Sequence, residues 1–387
     1  MRKWIYSILI LVVLVVLVRL FVPGILEDQF NKVTEHSHYV IDEQTKAQHR
    51  SLFIADLHSD SLLWERDFNQ RSSHGHVDLP RLLEGNVALQ VFTAVTKSPP
   101  AQNYQENTGD SDSITLLTVS QLWPVKTWSS LKERALYQAG KLEKFAASSN
   151  KKLRLVRNKK DLENLIAARA SGEPSVGAIY GIEGAHPLEG EIANLDELVA
   201  AGMRVLGLTH FFDNSLGGSL HGISGEGLTA FGRVVIQRAN ELELVIDIAH
   251  ASPQMVRDVL ELSTRPVILS HGAMKGLCDN GRNLDDELMR KFAARGGLLG
   301  VGYWEGAVCD NSPTGIAKMV RYAIEVMGVE HVALGSDYDG ATEVQFDTSE
   351  IAVLTQAMIE QEFTDTEIAA VMGGNVQKFF LANLPAN

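Results

Sequence analysis

A small set of residues sets the chemistry this chain could do. The stretch "IADLHSD", 54–60, ends a short apolar run in Asp56, His58 and Asp60, at alternating positions. Side chains two apart on a strand share a face, so His58 and Asp60 can reach the same ion. Later apolar runs end in Glu183 ("VGAIYGIE"), His210 ("RVLGLTH"), His250 ("LVIDIAH"), His271 ("PVILSH") and Asp337 ("HVALGSD"). Any one of these reads equally well as a strand reaching water or as a satisfied core histidine. The set reads differently, because each member would otherwise be a buried polar group in need of a partner. Imidazole and carboxylate donors without thiolates suit a catalytic zinc-type site with open positions. Glu183 falls between the two groups of donors and could bridge two ions, which together polarise a carbonyl and deliver a hydroxide.

Such a set works only if the fold brings the run ends together. Strands are expected at 52–58, 87–95, 176–183, 204–210, 244–250, 266–271, 297–304 and 331–337. Most are continuous apolar runs, the pattern of parallel strands covered on both faces. Helical patterns alternate with them at 194–202, 227–243, 252–263, 284–297 and 314–328. Asn194 is a cap candidate for the first of these, and Ser252 followed by Pro253 opens the third. The alternation predicts an α/β fold, a (β/α)8 TIM barrel, in which all strand C-termini meet at one face. The rival doubly wound sheet lacks its usual glycine-rich phosphate loop after the first strand. The connection at about 97–175 is long and opens with polar "KSPPAQNYQENTGDSD", which reads as an insertion over the barrel mouth. It is expected to hold a helix near 128–148.

The chain has 387 residues and a net charge of -13, which argues against a nucleic-acid partner. Its two cysteines, Cys278 and Cys309, exclude a disulfide scaffold; they could pair, but their spacing does not require it. At the N-terminus, Arg2 and Lys3 precede "WIYSILILVVLVVLV", 4–18, then Arg19 and "LFV". No small-x-small cleavage site follows, so residues 1–23 are expected to be an uncleaved transmembrane signal anchor rather than a cleaved signal peptide. Basic residues ahead of the segment place the body, 51–387, on the non-cytoplasmic side, in a bacterium the periplasmic face of the inner membrane. The polar stretch 24–50 reads as a stalk, with His36, His38 and His49 solvated.

The stretches "DLHSDSLLWERD", "GHVDLPRLLEGNVALQVFTA", "GIEGAHPL", "VLGLTHFFDN", "GEGLTAFG", "VIDIAHAS", "VILSHGAM", "NGRNLDDELM" and "LGSDYDG" occur in this order between about residues 54 and 340. On them the chain resembles the membrane dipeptidase (renal dipeptidase) family of the metal-dependent amidohydrolase superfamily. The resemblance implies a dipeptide-hydrolysing enzyme with two Zn2+ per chain. His58, Asp60 and Glu183 would hold one ion, and Glu183, His250 and His271 the other. It further implies that His210 contacts substrate and steadies the oxyanion, that Arg282 in "NGRN" engages the substrate carboxylate, and that Asp337 shuttles a proton. A homodimer is also implied.

These roles are chemically coherent. A dipeptide carries a free carboxylate close to the scissile amide, and arginine suits bidentate carboxylate recognition. A metal-bridging hydroxide is a nucleophile near neutral pH, and Asp337 could pass its proton to the leaving amine. Asp339 is expected to support its loop and Asp56 to lie buried behind the ligands. His74, His76, His186 and His221 have no assigned role, and His331 is expected to be structural. The competing readings are another hydrolase on the same site, a lactonase or a deaminase, and an inactive membrane-tethered binding protein. A deaminase makes less use of Arg282, and intact ligands weigh against a dead barrel.

Overall fold

The computed structural model describes Trp4, Tyr6, Ser7 and residues 23–386. Eight parallel strands close into a barrel: β1 (Ile54–Asp56), β2 (Val87–Val95), β3 (Val176–Glu183), β4 (Met203–Gly207), β5 (Val245–Asp247), β6 (Ile268–Gly272), β7 (Leu298–Val301) and β8 (Val332–Leu334). Each pairs with the next, and β8 returns to β1 with Leu334 opposite Asp56. The (β/α)8 barrel expected from the alternation of apolar runs and helices is the fold observed.

Every residue of β2 and β3 is buried, as strands covered on both faces require. Inside the barrel, Ala55, Leu89, Val91, Ile179, Val205, Val245, Leu298 and Ala333 pack together with Val376, Phe379 and Phe380 of the C-terminal helix Asn375–Asn383. Helices Ala230–Glu241, Pro253–Leu262, Asp286–Ala294 and Pro313–Met327 cover the outside. Their starts are fixed by side-chain caps: Ser252 accepts from Met255 N at 3.0 Å and Asp285 from Leu288 N at 2.9 Å.

Several strands stop earlier than their apolar runs. His210, His250 and Asp337 lie beyond the last paired residues of β4, β5 and β8. The cause is visible at two of them: His250 has φ 62° and Asp337 φ 60°, left-handed backbone that ends the ladder. Asn194 is also not a cap. The helix Ala193–Ala200 begins ahead of it, and its side chain donates to Leu188 O at 2.9 Å. In the long connection, helices Ser113–Ser120 and Leu131–Ser148 precede an extra strand, Leu153–Leu155, which pairs with β3 outside the barrel. Trp128 falls in a separate 3-10 turn, so the expected helix starts at Leu131, capped by Ser130. Cys278 and Cys309 form a disulfide.

The expected anchor falls almost wholly outside the described residues. Among those described, no helix is long and apolar enough to cross a membrane. The stretch expected as a stalk lies against the barrel instead. Lys32–Val33 pairs in parallel with Glu343–Val344, and helix Glu43–Ser51 carries His49 into the interior. His49 is therefore not solvated: it is 4% exposed, with Nδ1 2.8 Å from Thr355 Oγ1 and Nε2 3.0 Å from Gly85 O. A basic and polar surrounding sequence hid a histidine whose ring closes two hydrogen bonds at once.

Burial holds the His49 imidazole below its ordinary value of 6.5. Below that pH the unfolded chain binds a proton that the folded chain refuses, so stability is lost as pH falls. The slope approaches about 1.4 kcal/mol per pH unit for one such group. Denaturant midpoints are expected to drop between pH 7 and pH 5, and to drop less in His49→Gln. Equal slopes for both proteins would show that His49 does not carry the effect.

Candidate metal centre

The parallel register puts the chemistry at one end of the barrel. Glu183 closes β3 opposite Val95, His271 sits in β6, and His58 and Asp60 follow β1. His210, His250 and Asp337 reach the same place from the loops after β4, β5 and β8. Glu183 is the hub. Its Oε1 lies 3.1 Å from His250 Nε2, 3.3 Å from His271 Nε2 and 3.5 Å from His58 Nε2, and its Oε2 lies 3.3 Å from His210 Nε2. His58 Nε2 is also 3.5 Å from Asp60 Oδ1 and 3.8 Å from Asp337 Oδ1. The donors form three overlapping triads: His58–Glu183–His271, Glu183–His210–His250 and His58–Asp60–Asp337. All are buried. The ring of His271 lies 3.8 Å from that of His58 and its Nε2 2.9 Å from His250 Nε2, and His210 joins the nest. Arg282 packs at its edge.

Neighbouring polar groups fix the ring faces. Ser270 Oγ lies 3.2 Å from His58 Nδ1 and 2.9 Å from His271 Nδ1. One hydroxyl oxygen has two lone pairs and can accept from both, which leaves both Nε2 lone pairs turned inward. Ser270 can sit there because Gly300 and Gly335 press against its carbonyl. A Cβ at either would lie 2.1 or 1.8 Å from that oxygen. Thr93 Oγ1 donates to Asp60 Oδ1 at 2.6 Å. Asp56 accepts from His58 N at 2.9 Å, Ser336 N at 3.0 Å and Gln90 Nε2 at 3.1 Å, so it braces the loops after β1 and β8 from behind. Asp247 does the same for β5 and β6, accepting from Ala249 N and Ser270 N. The left-handed backbone at His250 and Asp337 costs on the order of 1 kcal/mol each, and its persistence needs support. Thr209 Oγ1 and Leu220 N both donate to His250 O, and Thr342 Oγ1 donates to Asp337 O.

The electrostatics call for cations. Burial, with the Asp60 charge added, pushes Glu183 well above the usual carboxylate range, and burial with Glu183 and Asp60 does the same to Asp337. Burial, then nearby cationic groups, holds His250 and His271 far below the usual imidazole value, so they are neutral lone-pair donors. Burial also lowers His58, yet Asp60 and Asp337 outweigh it and the ring ends above its usual value. A buried nest that strains to keep protons on its own carboxylates is short of positive charge, which divalent ions would supply. The donor set fits such ions. His210 is brought down to about 4, chiefly by burial. Its Nδ1 is 3.3 Å from Lys97 O.

Arg282 is the opposite case. It is 2% exposed, donates from Nη2 to His271 O, and lies with Cζ 5.5 Å from the centroid of the Trp304 ring. Its Nε has no partner, and no carboxylate stands within ion-pair distance of it among the described residues. A buried guanidinium without an anion is costly, and the cost is offset when an anion arrives.

Other singled-out residues take supporting positions. Asp339 is held below its ordinary carboxylate value: Arg66 and His76 outweigh its burial, and it accepts from Ser61 Oγ and His76 N. His76 is buried between Asp339 and Lys32 O, while His74 lies at the surface, 3.4 Å from Asp28. His186 stacks on Phe212 at 4.6 Å, and His331 hydrogen-bonds Gly297 O. His221 is fully buried, with its ring 5.2 Å from that of His250. Sequence reading missed Thr93, Ser270, Asp247, Tyr104 and Trp304. Of these, the aspartate inside "VIDIAH" and the serine inside "VILSH" carried a signal, a polar residue within an apolar run. Thr93 in a strand and Tyr104 in a polar loop carried none.

A model of the membrane dipeptidase family, peptidase family M19, matches residues 42–383. Dipeptidase 3 of Macaca fascicularis is 27% identical over 344 residues, covering 84% of this chain and 67% of that protein. Dipeptidase 3 of Mus musculus is 28% identical over 370 residues, covering 87% of this chain and 66% of that protein. The chain thus spans about two thirds of the length of these relatives. Among solved structures, a metallo peptidase from Rhodobacter sphaeroides, liganded with a phosphinate mimic of the dipeptide L-Ala-D-Ala, superposes with a TM-score of 0.70 at 21% identity. The match covers 86% of this chain and 99% of that one.

Proposed function

Because the chain belongs to the membrane dipeptidase family, peptidase family M19, we propose that it is a zinc-dependent dipeptidase. Its substrates are dipeptides with a free C-terminal carboxylate, those with a D residue at that end included. The observation that carries this reading is the buried, unpaired Arg282 at the rim of a nest of metal donors. His58, Asp60 and Glu183 would hold one ion and Glu183, His250 and His271 a second. Ions bound there polarise the scissile carbonyl and acidify water for attack near neutral pH.

The chain's own residues do the rest. Arg282 takes the substrate carboxylate through its free guanidinium edge and so sets the scissile amide against the nest. His210, whose Nε2 faces the nest 3.3 Å from Glu183 Oε2, would steady the carbonyl oxygen as negative charge grows there, once its single proton moves from Nδ1, beside Lys97 O, to Nε2. Asp337, whose burial raises its proton affinity, takes a proton at its carboxylate from the attacking water and returns it to the leaving amine. The disulfide Cys278–Cys309 supports a body in an oxidising compartment, as does an apolar 4–22 segment that tethers it to the outer face of a membrane.

Purified full-length protein is expected to contain two divalent ions per chain and to hydrolyse dipeptides with L or D C-terminal residues. Chelation should abolish this, and Zn2+ should restore it. Absence of metal, or hydrolysis of lactones with no cleavage across the dipeptide panel, would reject the reading.

A further inference from the structure

The segment between β2 and helix Ser113–Ser120 is stitched into the barrel mouth. Asn107 donates from N and from Nδ2 to His221 O, at 2.8 and 3.0 Å, and Lys97 Nζ donates to Gly109 O. Tyr104, between them, accepts at its backbone O from His221 Nδ1 at 3.3 Å. Its ring stacks near Phe211, 6.2 Å between centroids, and approaches His221 at 5.5 Å.

Two glycines make its seat. A Cβ at Gly281, next to Arg282, would lie 2.6 Å from Tyr104 O, and one at Gly306 would lie 2.6 Å from Tyr104 Oη. The backbone of Tyr104 therefore rests on the loop that bears Arg282, and its phenol oxygen on the turn that follows Trp304. Trp304 links the two groups: its Nε1 donates to Tyr104 Oη at 2.7 Å, and its ring carries Arg282 5.5 Å from its centroid. An indole N–H can only donate, so the phenol oxygen is the acceptor there and its own proton is free. Among the described residues that proton meets no acceptor. Burial, only partly offset by Trp304 and Arg282, keeps the phenol protonated. A free O–H donor beside an unpaired, buried guanidinium is a two-sided anion clamp lacking its anion.

We propose that Tyr104 donates its phenolic proton to the substrate carboxylate held by Arg282, which makes the inserted segment a specificity element for free-acid dipeptides. The inference rests on the dipeptidase reading and adds to it a residue from outside the barrel strands. Tyr104 acts on substrate directly, with Trp304 positioning its hydroxyl.

The test compares wild type with Tyr104→Phe on a dipeptide and on its C-terminal amide, which lacks the anion. A hydrogen bond to a charged group is worth about 10- to 100-fold. Tyr104→Phe should lose that much kcat/KM on the free acid, mostly through KM, and less than about threefold on the amide. Equilibrium binding of a phosphinic dipeptide analogue should weaken by the same factor as KM rises, and its C-terminal amide should bind both proteins alike. Trp304→Phe, which frees the phenol from its fixed orientation, should show the same selective loss in smaller measure. Equal losses on acid and amide, or no loss on either, would overturn the proposal while leaving the dipeptidase reading intact. A wild type that cleaves no dipeptide would overturn both.

Discussion

Replacing Glu183 with alanine is expected to abolish binuclear metal binding and, with it, hydrolysis. One carboxylate stands within 3.5 Å of His58, His210, His250 and His271, so its loss removes the group shared by two of the three candidate triads. Lewis-acid stabilisation is worth several kcal/mol, so kcat/KM should fall by at least about a thousandfold. Metal analysis should find no more than one ion per chain, against two in wild type. Glu183→Gln keeps the volume and one oxygen but gives up the charge that two cations need between them. It is expected to bind metal more weakly, with the shortfall made up in part at high Zn2+. Folding should survive both changes, because burial is the largest influence on this carboxylate and removing it relieves desolvation. Full metal content with near-normal turnover in Glu183→Ala would refute the bridging role.

Arg282→Met should separate activity from stability. Methionine fills much of the same space without charge or donors. A substrate carboxylate left unpaired in a buried site costs about 2–5 kcal/mol, so kcat/KM for dipeptides should drop by about 30- to 5,000-fold. Cleavage of C-terminal amides should change far less. The fold, by contrast, loses the hydrogen bond to His271 O and the guanidinium's contact with the Trp304 ring, and gains by shedding a buried, unpaired cation. The midpoint of denaturation is therefore expected to hold or rise. A variant that both melts early and loses amide cleavage would mean that Arg282 is structural.

The barrel was readable because its signal is redundant. Runs such as "VALQVFTAV" and "VGAIYGIE" are apolar without alternation, and turn signals and helix caps separate most of the runs. The metal nest was readable for the same reason: His58, Glu183, His250 and His271 each end such a run. The run ends overshot the strands at His250 and Asp337 because backbone handedness leaves no trace in residue type at a histidine or an aspartate. Ser270 and Thr93 were missed because a hydroxyl inside a strand looks the same whether or not a ligand leans on it. His49 and the stretch around Lys32 were misread because their partners, Thr355 and Glu343, lie some 300 residues away. Local composition reports solvent preference, not a distant hydrogen bond. Tyr104 is the extreme case, since its meaning depends on two glycines and a tryptophan from other loops.

The pairing of Lys32–Val33 with Glu343–Val344 fixes more than a strand edge. Glu343 follows the loop of Asp337 and Asp339, so the chain enters the body on the side where the barrel opens. Glu27, closer still to the N-terminus, reaches Arg66, whose other end holds Asp339. Fewer than ten residues separate Pro23 from Lys32, a span of at most about 30 Å even when fully drawn out. Whatever residue 23 is joined to is therefore held close to the open end of the barrel.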